Sequence, residues 1–172
     1  VHGALEHAPF DDADVSALAR EHAINEGVAD EAPLVGSLIR AALASDVVRA
    51  AAGARHWREL YVAAPLVDDP DSPVVEGFID LAYLDGRPDE PGLTIVDYKT
   101  DAVVDAADRA AKASRYRLQG ATYALAAERS TRLTVQRVVF LFLSDDGSVE
   151  ADIDYPPAAM PAAAPLVRDL RG

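Results

Sequence analysis

The sequence contains no cysteine. That excludes a disulfide scaffold, a cysteine zinc site, a cysteine-ligated iron–sulfur cluster and a thiol nucleophile, and it suits a reducing compartment. Lysine is almost as scarce: Lys99 and Lys112 are the only two, so arginine supplies nearly all of the 16 basic side chains. No apolar run approaches the ~20 residues that a membrane-spanning helix needs, so no membrane partner is expected. Internal repeats are lacking as well, which excludes a solenoid.

What is present suits one globular unit. The chain has 172 residues, half of them hydrophobic and 26% charged, enough for a real core and too apolar for wholesale disorder. Acidic residues outnumber basic ones by 29 to 16, for a net charge of −13. Alone, that total argues against a nucleic-acid binder, but net charge describes the whole surface and a site can differ from it. Arg109, Lys112, Arg115 and Arg117 fall in a stretch without acids, and Arg49, Arg55, His56 and Arg58 form a second basic stretch. Both read either as local phosphate contacts or as charges balancing an acidic surface.

Hydrophobic periodicity divides the chain into helices followed by strands. A short turn of helix is expected over His2–His7. A second helix follows the acidic Asp11–Asp14 through Val15, Leu18, Ala19 and Ile24, and a third starts at Pro33 and ends at Gly53. Strands are expected over Trp57–Val62, Val74–Tyr83 and Leu93–Lys99, the last two joined by a long polar turn over Leu84–Gly92. The third strand is apolar through most of its length, as a strand buried on both faces would be. A long helix over Ala106–Arg129, a strongly apolar strand over Leu133–Leu143, a hairpin turn at Asp145–Ser148 and an edge strand over Val149–Tyr155 complete the core. An Ala/Pro-rich tail with a last helix to Leu170 ends it. This order predicts an α/β (α+β) domain with one central mixed sheet: a β-meander, a crossover helix and a further strand, flanked by helices.

The third strand carries the chemistry. Side chains alternate across a strand, so Asp97 and Lys99 share a face with Leu93 and Ile95. An Asp-x-Lys pair at a strand end reads on its own as an ion pair. The preceding strand, however, ends its apolar segment Gly77-Phe78-Ile79 with a second acid, Asp80. Adjacent antiparallel strands can bring Asp80 and Asp97 together, and a divalent cation relieves the repulsion of two carboxylates. Carboxylates and water suit Mg²⁺ or Mn²⁺, and a lysine on the same face can stabilise a phosphate in its transition state. Glu59 and Glu76 are further acids near these strands. His2, Glu6 and His7 could alternatively make a zinc cluster, though nothing else in the sequence supports one.

Four motifs stand in order: Val1-His2-Gly3-Ala4-Leu5-Glu6, then Gly77-Phe78-Ile79-Asp80, then Ile95-Val96-Asp97-Tyr98-Lys99-Thr100-Asp101, then Tyr116-Arg117-Leu118-Gln119-Gly120-Ala121-Thr122-Tyr123. In these the chain resembles the PD-(D/E)xK nucleases, and within them the RecB-type nuclease domain at the C-terminus of UvrD-like helicases. It departs in having Ile79 where the family name has proline. The resemblance implies a restriction-endonuclease-like core and a divalent-metal-dependent deoxyribonuclease of the exonuclease V kind. It implies His2, Asp80 and Asp97 as side-chain metal ligands, the Tyr98 carbonyl as a further one, and Lys99 as the catalytic lysine beside Asp97 and Asp80. Gln119 and Tyr123, four apart on one helix face, would position DNA or the lysine. It further implies Mg²⁺ or Mn²⁺ without an iron–sulfur cluster, DNA as substrate, and residues 1–172 as one domain cut from a larger helicase–nuclease. No G-x-x-x-x-G-K-[ST] loop occurs in the sequence, so the motor would lie elsewhere, in cis or on a partner subunit. A cytoplasmic, nucleoid-associated role in bacterial break repair and recombination would follow. The alternative is a catalytically inactive module of the same fold that binds DNA ends or partner subunits.

Overall fold

The computed structural model describes residues 1–11, 14–66, 69, 71–87 and 90–153. Four helices come first: α1 (His2–His7), α2 (Ser16–Asn25), α3 (Ala32–Ala44) and α4 (Asp46–Ala52), with a 3-10 turn at Ala29–Glu31. Three strands follow, β1 (His56–Pro65), β2 (Val74–Arg87) and β3 (Glu90–Lys99), then α5 (Ala106–Thr131), β4 (Thr134–Ser144) and β5 (Gly147–Asp152).

The five strands form one sheet in the order β1-β2-β3-β4-β5. β1, β2 and β3 are an antiparallel meander; α5 crosses over to bring β4 parallel to β3, and β5 returns antiparallel to β4. This is the mixed sheet expected from the sequence. β3 lies at its centre, and alternate side chains enter different cores. Val96 and Tyr98 join the core under α1–α4, while Leu93 and Ile95 join the core under α5 with Phe140 and Phe142. Each of these buried apolar side chains contributes about 1.5–3 kcal/mol relative to exposure, which is why β3 is mostly apolar, with buried Thr94 satisfied by Asp85.

Several boundaries differ from the sequence reading. The single helix expected from Pro33 to Gly53 breaks at Ser45, whose extended backbone (φ −70°, ψ 153°) ends α3 and caps α4. The Ser45 hydroxyl donates to the Ala42 carbonyl at 2.6 Å and accepts from the Val48 amide at 3.4 Å. The Val47 amide donates to Glu150 of β5 at 3.0 Å, so the second of α4's free amides is met by a distant strand. The polar turn expected over Leu84–Gly92 is mostly strand: Asp85 pairs with Gly92, Gly86 with Pro91 and Arg87 with Glu90. Ladder bonds need only backbone partners, so the polar side chains do not stop them. α2 starts at Ser16, its amide bound by the Asp14 carboxylate at 2.9 Å. The edge strand ends at Asp152. Tyr155 and the last helix expected to Leu170 lie outside the described residues.

α5 positions the second half of the site. Asp105 caps it by accepting the Asp108 amide at 2.8 Å, and Arg132 ends it in the left-handed region at φ 60°. Buried Glu128 in its last turn accepts the Val135 amide at 2.9 Å, tying the helix to the first residues of β4.

Candidate active site

Asp80 stands where the β1–β2 ladder bends. Residues two apart in a regular strand share a face, yet Ile79 enters the core under α5 and Leu81 the core under α1–α4. The partner strand carries a matching irregularity. Glu59 falls opposite Asp80 in the register, between the pairs Arg58–Leu81 and Leu60–Ile79. Its backbone is left-handed at φ 48°, a conformation that costs a non-glycine residue on the order of 1 kcal/mol. The bend lets the Asp80 carboxylate reach the next strand, where Oδ2 accepts the Tyr98 amide at 2.7 Å.

His2 enters from α1. Its Nε2 lies 2.9 Å from the Tyr98 carbonyl oxygen and 3.5 Å from Asp80 Oδ2. The Tyr98 carbonyl of β3 and the Asp80 carboxylate of β2 thus both stand within 3.5 Å of the His2 ring nitrogen of α1. Neighbouring ligands of an octahedral ion with bonds of about 2.1 Å stand ~3.0 Å apart, so this spacing fits a small divalent cation.

Asp97 lies beside them, 3% exposed, on the face of β3 that looks to α5. Lys99 Nζ is 2.6 Å from Asp97 Oδ2 and donates to Gln119 Oε1 at 3.1 Å. Gln119 Nε2 in turn donates to Asp97 Oδ1 and to the Tyr123 hydroxyl, each at 3.1 Å. Only this orientation of the Gln119 amide gives its oxygen to the ammonium and its nitrogen to the carboxylate. Gln119 and Tyr123 share a face of α5 because they are four residues apart. The Tyr123 ring fits because residue 77 is glycine: a Cβ there would stand 3.0 Å from Tyr123 Cε1.

Electrostatics set the two carboxylates apart from surface acids. Burial, then the charge of Asp97, pushes Asp80 up to about 6, against the Tyr98 amide and His2, which stabilise its anion. Glu59 adds a further negative charge that raises it. Asp97 is also raised by burial, with Lys99 opposing. Asp97, which is buried, and Asp80, which is part-buried, are both held above their ordinary range beside charge partners, as at a site poised for a cation.

Most of the groups singled out from the sequence therefore come together: contacts run from His2 to the Tyr98 carbonyl and Asp80, and Asp97, Lys99, Gln119 and Tyr123 form a linked set on the α5 side. Among the described residues no three His, Asp or Glu side chains close into a ready-made cage; Lys99 and Gln119 contact the Asp97 carboxylate. The zinc cluster does not assemble: His7 Nδ1 turns to the Gly3 carbonyl at 2.9 Å while His2 turns to Tyr98. Glu76 accepts the Tyr61 hydroxyl at 2.7 Å, on the sheet face away from α5. Arg109, Arg115 and Arg117 are exposed along α5, but Lys112 is held in an ion pair with Asp108 at 2.7 Å and donates to the Ala102 carbonyl. Arg58 does not offer itself to solvent either, and packs against α1.

Sequence reasoning gave no role to Tyr116. Its ring lies under the lysine, with Lys99 Nζ 4.5 Å from the Tyr116 centroid and 5.5 Å from that of Phe140, and its hydroxyl donates to Asp101. The signal was available: Tyr116 stands three residues before Gln119 and so on the same helix face.

The model of the PD-(D/E)XK nuclease superfamily matches residues 1–171. Among solved structures, the crystal structure of SSO0001 is similar at 13% sequence identity and a TM-score of 0.45, over 99% of this chain and 84% of that one. A search of curated proteins finds none that matches. Among the described residues no helix is long and apolar enough to cross a membrane.

Proposed function

The chain belongs to the PD-(D/E)XK nuclease superfamily, whose restriction-endonuclease-like architecture its mixed sheet and flanking helices reproduce, and on that premise we propose that it is a deoxyribonuclease dependent on Mg²⁺ or Mn²⁺. The observation that carries this reading is that the Tyr98 carbonyl and Asp80 Oδ2 both lie within 3.5 Å of His2 Nε2, beside the Asp97–Lys99 pair at 2.6 Å. Nucleases of this superfamily generally use divalent metals. Here His2, Asp80, Asp97 and the Tyr98 carbonyl would hold the ion. When bound, it acidifies a water and neutralises charge on the scissile phosphate.

The remaining roles belong to the chain's own groups. The Lys99 ammonium, desolvated between Asp97, Gln119 and the Tyr116 ring, donates to the attacking water or to a phosphate oxygen as negative charge develops. Gln119 keeps the Lys99 and Asp97 side chains at a set separation, and Tyr123 supports Gln119 from the other side. Arg109, Arg115 and Arg117 meet phosphates along α5. The substrate is mainly single-stranded DNA. The chain acts as one nuclease domain of a larger helicase–nuclease in bacterial break-end resection and recombinational repair, in the cytoplasm at the nucleoid.

Single-turnover cleavage of a labelled single strand tests the reading. Cleavage with Mg²⁺, its loss in chelator and its loss in Asp80→Asn are the expected results. Mn²⁺-independent DNA binding without cleavage, unchanged in Asp80→Asn, would favour an inactive DNA-binding module instead.

A further inference from the structure

We propose that Arg58 is the positioning residue for His2: it locks α1 onto the sheet so that the imidazole stays against the Tyr98 carbonyl. The inference rests on the metal-centre reading above for its consequence, but not for its geometry.

α1 buries Ala4 and Leu5, and Ala8 at its C-cap is buried as well. His2 is half exposed and is fixed to the sheet by its contacts with Tyr98 and Asp80. Arg58 adds a directional hold on the end of α1 from β1. Its Nη1 donates to the Glu6 carbonyl at 2.9 Å and to the Ala8 carbonyl at 2.6 Å. These carbonyls belong to the helix's last turn and its cap, where backbone oxygens have no partner inside the helix and where the helix dipole favours a cation. The guanidinium also lies over the Phe10 ring, 3.9 Å from its centroid, and Phe10 and His56 pack T-shaped at 4.8 Å. One side chain therefore grips both the end of α1 and the segment that leaves it. At the next residue of β1, the left-handed Glu59, the strand meets Asp80's bend, so the strut and the carboxylate share one rigid frame.

Two measurements test this. The first uses the metal-free protein: the His2 ring Cε1–H resonance is compared between wild type, Arg58→Lys and Arg58→Ala. In wild type it should stand apart from free imidazole; Arg58→Ala should collapse it toward the free value, and Arg58→Lys, which can still donate to both carbonyls, should keep most of the offset. An unmoved His2 signal in a folded Arg58→Ala overturns the proposal. The second is Mn²⁺ calorimetry on wild type, Arg58→Ala, His2→Ala and the double variant. Loss of an orienting group costs about 10–100-fold in metal affinity; that loss should appear for Arg58→Ala when His2 is present and vanish when His2 is already alanine. Equal losses in both backgrounds mean that Arg58 acts on general stability, and overturn the proposal. If wild type binds no Mn²⁺, the metal-centre reading fails, while the His2 resonance still decides the role of Arg58.

Discussion

Lys99 Nζ lies 2.6 Å from Asp97 Oδ2, and both side chains leave the same face of β3 two residues apart. Gln119 closes the pair into a triangle by accepting from the ammonium and donating to the carboxylate. The lysine's partner is thus also an expected ligand, and the two tasks can be separated. Lys99→Ala frees the Asp97 carboxylate, so Mn²⁺ affinity should hold or rise. Cleavage should fall by about 10²–10³, the scale for losing one preorganised electrostatic donor. Lys99→Arg should recover little, because a planar guanidinium does not fit between Gln119 and the Tyr116 ring as a compact ammonium does. Wild-type cleavage in Lys99→Ala would leave the triangle a structural ion pair.

Removing a carboxylate should remove the metal. Asp80→Asn and Asp97→Asn each delete an anionic donor of a hard cation, so both should lose Mn²⁺ binding in calorimetry along with cleavage. Undiminished affinity in both variants would refute the shared site.

Asp80 also predicts how the metal-free fold responds to pH. Its folded value is about 6, above the ordinary 3.8. The folded state therefore binds more protons than the unfolded state between those values, and this group's contribution is lost as pH rises from about 4 through 6. Two pH units correspond to on the order of 3 kcal/mol. Denaturant unfolding in chelator, at pH 4.5 and at pH 7, should show wild type losing stability relative to Asp80→Asn across that window. Added Mn²⁺ should cancel the loss. A constant difference between the two proteins would contradict the environment described for Asp80.

Gly77 is needed for the Tyr123 ring. A methyl group there would press on Tyr123 Cε1 from 3.0 Å and push its hydroxyl away from Gln119. Gly77→Ala should fold, with cleavage reduced about tenfold, on the order of 1.4 kcal/mol. In a Tyr123→Ala background the same change should cost nothing more. Additive losses would mean that the glycine serves the backbone and not the ring.

The exposed arginines of α5 should behave unlike Lys112. Arg109→Gln, Arg115→Gln and Arg117→Gln should each weaken single-strand binding and lower its salt slope by about one. Lys112→Gln should leave the slope unchanged, because that ammonium is already paired with Asp108 and the Ala102 carbonyl. Fluorescence anisotropy across a salt series decides between them.

Much of this was legible in the residues themselves. Alternation along Leu93, Ile95, Asp97 and Lys99 sets their common face without any tertiary information, since side-chain direction in a strand is a property of local geometry. The four-residue spacing of Gln119 and Tyr123 works likewise on a helix. Apolar runs marked β3 and β4 as central strands because burial on both faces leaves no room for polar side chains. The break at Ser45 was not legible, since one α4 amide, that of Val47, finds its partner only on a distant strand at Glu150. Nor was the bend at Asp80, which depends on a left-handed Glu59 across the ladder. Only the packed structure turns Arg58 inward onto the α1 carbonyls, where the sequence offered just one more base in a basic stretch. Sequence periodicity determines which way a side chain leaves its own element; which partner it meets depends on where other elements, far along the chain, are packed against it.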